Sequence, residues 1–251
     1  MKTFEELKED LLERAKKHNA CQDGYRMGLN AKSKKDLLEA ITSNWFWVFR
    51  TSKMIDANYL EDNFSEEELS EAGIYTRKEH ASNTRAFACG SATVKAYDSA
   101  TVKACGSATV KAYDSATVEA YGSATVKAYD SATVKACGFA TVKAYDSATV
   151  EACGSATVEA YGSATVEACG SATVEAYDSA TVKAYGSATV KACGSATVKA
   201  CGFATVKAYD NSYVEDCTGN INTVSDHGIV KDYYNHKIYI KKGKFEIIEI
   251  E

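Results

Sequence analysis

The 251-residue chain has no proline, two tryptophans, three methionines and four histidines. Without proline there is no proline-rich linker or ligand segment. The histidines, His18, His80, His227 and His236, belong to no nucleophile, metalloprotease or phosphate-loop motif, and no glycine-rich loop precedes a helix. Asp226 beside His227 could orient an imidazole, but the pair reads more simply as a loop turn. We therefore expect a non-enzyme with no cofactor and no metal centre.

Positive charge is not in excess. The 29 Lys and Arg against 34 Asp and Glu leave a formal charge of −5, which argues against the cationic face that phosphate neutralisation requires, so nucleic acid is not expected as a partner. No apolar run approaches the roughly 20 residues of a membrane span, and MKTFEELKEDLLERAKK lacks the apolar centre of a signal peptide. A cytoplasmic protein is expected. Nine cysteines is an odd number and their spacing is unlike that of metal ligands, so reduced thiols rather than a full disulfide framework are expected.

What the chain does have is organised in three parts. Residues 1–82 read as a small helical head. Thr3 with Glu6 forms a capping-box start, followed by Phe4, Leu7, Leu11, Leu12 and Ala15 at helical spacing; Gly24 is placed in the next turn. Ser33 with Asp36, Asp56, and Ser65 with Glu68 mark further starts, the last segment stopping at Gly73. Trp45, Phe46, Trp47, Val48 and Phe49 supply an aromatic core, with Trp45 and Trp47 as alternative groove residues for a partner.

Residues 91–210 are fifteen tandem octads, each reading Ser/Phe-Ala-Thr-Val-Lys/Glu-Ala-Tyr/Cys-Asp/Gly. A short fixed period means a solenoid whose units stack on their neighbours. Ala92, Val94 and Ala96 alternate with Thr93, Lys95 and Tyr97, the period of two of a strand with one apolar face, and Asp/Gly-Ser supplies the turn. Alternate octads differ: those beginning at 91, 107, 123, 139, 155, 171, 187 and 203 mostly end Tyr-Asp, whereas every intervening one ends in Gly. The true repeat is thus sixteen residues, two strands per coil. The expected fold is an all-β repeat: a two-sheet parallel β-solenoid spanning residues 83–228, about 36 Å long over the regular octads at a coil rise of about 4.8 Å. A C-terminal β-hairpin cap at 229–251, turning at Gly243 with Ile238, Ile240, Phe245, Ile248 and Ile250 as its apolar content, would cover an otherwise adhesive end.

Stacking sixteen-residue coils turns single positions into columns. Cys137, Cys153 and Cys169 would form a line of sulfurs, whereas zinc and iron–sulfur sites converge ligands on a point, so small buried fillers are the simpler reading. Asp98, Asp114, Asp130 and Asp146 would share a corner, as cation ligands or, more economically, as turn residues. Lys95, Lys111, Lys127 and Lys143 could track phosphates, but the repeat as a whole is nearly neutral. Tyr97, Tyr113, Tyr129, Tyr145, Tyr161 and Tyr177 would either stack along the ladder for stability or expose an amphipathic strip, the best in the chain for a protein partner or for self-association.

The octads loosely resemble the tandem repeats of bacterial ice-nucleation proteins, but a Lys or Glu stands where those proteins carry the second Thr of a Thr-x-Thr row. Together with the Ala20-Cys21-x-x-Gly24 segment and the Trp-rich stretch, they more closely resemble uncharacterised repeat proteins encoded by bacteria and their phages. That resemblance implies a mobile-element setting. The expectation is a scaffold or protein-binding rod, with inhibition of a host factor as one role that a phage origin would suit, and self-assembly into filaments or dimers, or ice or cation binding, as alternatives.

Overall fold

The computed structural model describes residues 2–242 and 244–249, with side chains at 221–223 and 241–249 left aside. The expected turn at Gly243, Ile250, and the Phe245 and Ile248 side chains lie outside what is described.

Helix α1, Phe4–Lys17, starts at the capping box, with Thr3 accepting from the Glu6 amide and the Glu6 carboxylate accepting from the Thr3 amide. Helix α2, Gln22–Asn30, contains Gly24, which sequence reasoning placed in a turn. The reason is packing: a Cβ on Gly24 would lie 3.1 Å from Asn44 Oδ1, and one on Gly28 would lie 3.3 Å from Leu12. Bare backbone lets α2 approach its neighbours. Helices α3 (Lys34–Ser43), α4 (Ala57–Asn63) and α5 (Glu66–Glu71) begin at Ser33, Asp56 and Ser65, whose side chains accept the expected backbone amides. Between α3 and α4, Trp47–Thr51 forms a single π turn closed by the Ser52 amide on the Trp47 carbonyl.

The solenoid begins before the regular octads. Strands β1 (Ile74–Tyr75) and β2 (Glu79–Ser82) already pair in parallel with β3 (Arg85–Ala88) and β4 (Thr93–Ala96). From β4 a four-residue Thr-Val-Lys/Glu-Ala strand recurs every eight residues to β18, Thr205–Ala208. Alternate strands enter different sheets, so each residue pairs with the one sixteen positions away: Thr141 lies between Thr125 and Thr157. One sheet has ten strands and the other thirteen. The two-sheet parallel solenoid expected from the octads is the observed fold.

Its interior is thin. Each regular coil turns two Ala-Val-Ala sets inward, and from Ala86 to Ala200 these residues have no exposed surface. Apolar burial and continuous backbone pairing therefore hold the sheets together. Pairing continues around the corners, where the Ser115 amide donates to the Asp98 carbonyl and the Ser123 amide to the Gly106 carbonyl, both at 3.0 Å. Residues at the eighth octad position have positive φ, +56° at Asp98, Asp114 and Asp130, and +61° to +79° at Gly106 through Gly202. That backbone region admits Gly and, among other residues, favours Asn and Asp, which explains the strict Asp/Gly choice.

Beyond β18 the repeat degrades through β19 (Tyr213–Asp216), β20 (Ile221–Val224) and β21 (Ile229–Asp232). Asp216 and Asp232 occupy inward positions that alanines hold upstream, and their carboxylates accept the amides of Thr218, Tyr234 and Asn235 at 2.8–2.9 Å. The antiparallel pair β22 (Lys237–Lys242) and β23 (Lys244–Glu249) then closes the thirteen-stranded sheet.

Candidate functional site

A flattened solenoid has two long edges, and the corner residues decide what each presents. At the Tyr/Asp edge six tyrosine rings lie one above another from Tyr97 to Tyr177, with centroids 5.0–5.2 Å apart and planes within 7–10° of parallel. This row is about 25 Å long. In-register strands impose the coil spacing on every side chain, and that spacing suits offset aromatic stacking. Tyr97, at one end, is 37% exposed; the other five are half-buried, so ring edges and hydroxyls face outward. Cys193 follows Tyr177 in the column and ends the stack.

Glutamates on the adjoining face tie down some hydroxyls. Tyr161 donates to Glu159 at 2.7 Å and Tyr177 donates to Glu175. The hydrogen bond from the Lys143 ammonium, with one from the Tyr161 hydroxyl, holds the Glu159 carboxyl below the usual range, and Glu175 pushes the Tyr177 phenol up. Tyr113, Tyr129 and Tyr145 have glycine-free Asp corners beside them and lysines at 111, 127 and 143 on the strand before. The middle of the row is thus flanked by carboxylates on one side and ammonium groups on the other.

The Asp column is a hydrogen-bonded ladder. Asp114, Asp130 and Asp146 each accept, through Oδ2, the corner amide of the preceding coil's aspartate at 3.2–3.4 Å; Asp178 and Asp210 do the same for Gly162 and Gly194 at 3.0 and 2.9 Å. These carboxylates act on their own backbone. Among the described residues no group of three or more His, Cys, Asp or Glu is placed to hold a metal ion. The stacked lysines are partly paired: Glu79 meets Lys95 at 2.7 Å and Lys111 at 3.6 Å, and Glu159 meets Lys143 at 2.8 Å.

The Gly edge carries the helical head. Phe87, Cys89 and Cys105 are buried in the same apolar cluster as Leu7, Leu37, Trp45 and Leu60, Phe46 packs edge-on against Tyr121 at 4.9 Å, and the Arg50 guanidinium lies over Gly138. Small cysteines at the first two corners make room for the helices, a fit that the octad pattern alone did not announce. This placement divides the Trp-rich segment. Trp45 is 2% exposed, packed against Phe49 and Phe87, and is core rather than a partner groove. Trp47 is half-buried and lines an apolar cleft with Leu12, Gly24, Gly28 and Met54. Phe46, expected in the core, is 48% exposed because the π turn presents it to the solenoid edge.

Two exposed residues were passed over in the sequence. Phe139 and Phe203, 71% and 77% exposed, replace the corner serine in two octads on the Gly edge. Their signal was that very substitution. No helix is long and apolar enough to cross a membrane among the described residues.

No protein-family model, no curated protein and no solved structure matches this chain.

Proposed function

We propose that this chain is a non-catalytic scaffold whose solenoid presents the Tyr/Asp edge to a protein partner. The carrying observation is the six-ring tyrosine stack on the edge opposite the head, left open while the helices cover the start of the Gly edge. A row of rings already held in register loses little conformational freedom on binding, and each ring combines an apolar body with a polar tip. Lysine and aspartate columns beside it would orient the partner. The test is affinity capture with immobilised full-length protein, wild type against a Tyr113→Ser, Tyr129→Ser, Tyr145→Ser triple variant of unchanged far-UV circular dichroism. Loss of one stoichiometric protein in the variant supports the reading. Equal capture would move the site to the head.

Self-assembly is a second reading, favoured by one observation. Strand β2 ends its sheet with one backbone edge unpaired among the described residues, and β20 ends the same sheet at the far side. Such edges template further strands. Light scattering over a concentration series tests it, and a concentration-independent monomer ends it.

A further inference from the structure

Downstream of the head the Gly edge carries Cys137, Cys153 and Cys169 in consecutive coils. The flanking Ala152 and Ala168 are direct partners in parallel pairing, and the Cys153 and Cys169 amides donate to Ala136 and Ala152 at 2.8 and 2.9 Å. The two corners are thus held in register by backbone. Their sulfurs lie 3.0 Å apart, and both residues are half-buried, so small solutes can reach them. Adjacent coils about 4.8 Å apart fall inside the Cα separation that a disulfide spans.

We propose that Cys153 and Cys169 form a reversible disulfide between consecutive coils, a redox-set staple on the Gly edge, with a small-molecule disulfide such as oxidised glutathione as oxidant. The Cys153 thiolate attacks one glutathione sulfur, and the glutathione S–S bond breaks with its electron pair leaving on the other half. The Cys169 thiol loses its proton to water and attacks Cys153 Sγ, expelling the second glutathione thiolate. Two protein thiols are oxidised by two electrons, one glutathione disulfide is reduced to two thiols, and these take up the two protons. The hydrogen bond with Cys153 and partial burial push the Cys169 thiol up to about 11, which suits it to the second, intramolecular step, where proximity compensates for a small thiolate fraction. Because the sulfurs already face each other, the staple needs little backbone movement. Closing it ties two coils covalently and limits local opening of the solenoid between them.

The sequence makes the test clean. No Lys or Arg lies between Lys143 and Lys183, so trypsin leaves Cys153 and Cys169 as the two cysteines of a single peptide, residues 144–183. Full-length protein is equilibrated in oxidised and reduced glutathione at several ratios, blocked with N-ethylmaleimide, digested and mapped by mass spectrometry without reduction. The expected result is that this peptide loses two hydrogens and takes up no maleimide in oxidising buffer, reverts with dithiothreitol, and comes from monomeric protein. Cys137→Ser should leave this behaviour intact, and Cys169→Ser should abolish it. Two maleimides at every ratio, a stable glutathione adduct, or a bond from Cys153 to Cys137 or to another chain would each overturn the assignment.

Discussion

The corner at Asp130 tests why position eight of the octad admits only Asp or Gly. Asp130 has φ +56°, its Oδ2 accepts the Asp114 amide at 3.3 Å, and its own amide donates to Asp146 at 3.4 Å. Replacement by Ala keeps a Cβ in left-handed backbone without the local polar compensation, a cost of about 1–2 kcal/mol. It also removes the acceptor, and since the Asp114 amide sits at an exposed corner where water substitutes, this adds only about 0.5 kcal/mol. Asp130→Ala should therefore lose about 2 kcal/mol. Asp130→Gly removes the acceptor but not the backbone compatibility, and its loss, from extra freedom in the unfolded chain, should be about 1 kcal/mol. Asp130→Asn tolerates the same φ, keeps an oxygen for the Asp114 amide and removes one like charge from a column of four. It should match or exceed wild type.

The assay is urea unfolding followed by far-UV circular dichroism at low and high salt. Salt should raise wild-type stability by screening the carboxylate column, and should raise that of the Asn variant less. Ala equal to Gly would refute the positive-φ argument. An Asn variant as damaged as Ala would show that the carboxylate charge itself holds the corner, as a bound cation would require.

Val142 is fully buried between the sheets, so Val142→Ala should cost about 2–3 kcal/mol through lost transfer energy and a cavity that rigid neighbours cannot close, measured by thermal melting. Phe46→Ala removes the edge-on contact with Tyr121 and should weaken docking of the head by about 1 kcal/mol, read as faster hydrogen exchange in α3 with solenoid amides unchanged. Burial raises Asp10, and hydrogen bonds from Lys2, Tyr59 and Arg14 more than offset it, leaving its pKa below the ordinary value. Its stabilisation is full above the unfolded value of about 3.9 and is lost as pH falls through the lower folded value, so Asp10→Asn should flatten the acid limb of head stability below about pH 4. Deleting residues 229–251 removes the last parallel strand, β21, together with the antiparallel pair that closes the thirteen-stranded sheet and should give aggregated protein by size-exclusion chromatography; a monodisperse, folded truncation would refute the capping role.

The solenoid could be read from sequence because its physics is local and repeated. Alternation at Ala92, Val94 and Ala96 sets the inward face, and the alternation of Asp98 with Gly106 separates two corners and so fixes two strands per coil. The tyrosine stack follows at once, since in-register coils superpose whatever residue recurs every sixteen positions. The head's docking does not repeat and was not visible in this way. It depends on Phe46 and Arg50, at the start of and within a π turn set against one edge, and on cysteines at 89 and 105 small enough to admit helices; the packing inside the head, where bare backbone at Gly24 and Gly28 lets α2 approach Asn44 and Leu12, does not repeat either.

The same distinction bears on function. Along the Gly edge the seventh position reads Cys89, Cys105, Tyr121, Cys137, Cys153, Cys169, and the head covers the first two and meets the third. A packing requirement under the helices therefore accounts for the early cysteines but not for Cys153 and Cys169, which the head does not bury. On the other edge no helix intervenes, and Tyr97 to Tyr177 continue without interruption through the coils where the head sits and beyond it. If tyrosine served only to stabilise the stack, the same residue would serve equally on the Gly edge past the head, where the column instead reads Cys137, Cys153, Cys169, Tyr185, Cys201, Cys217 and no ring stack forms among the described residues. The continuous row belongs to the edge that the head leaves uncovered, and this asymmetry supports the proposed reading of the row as a presented surface over that of a stabilising filler.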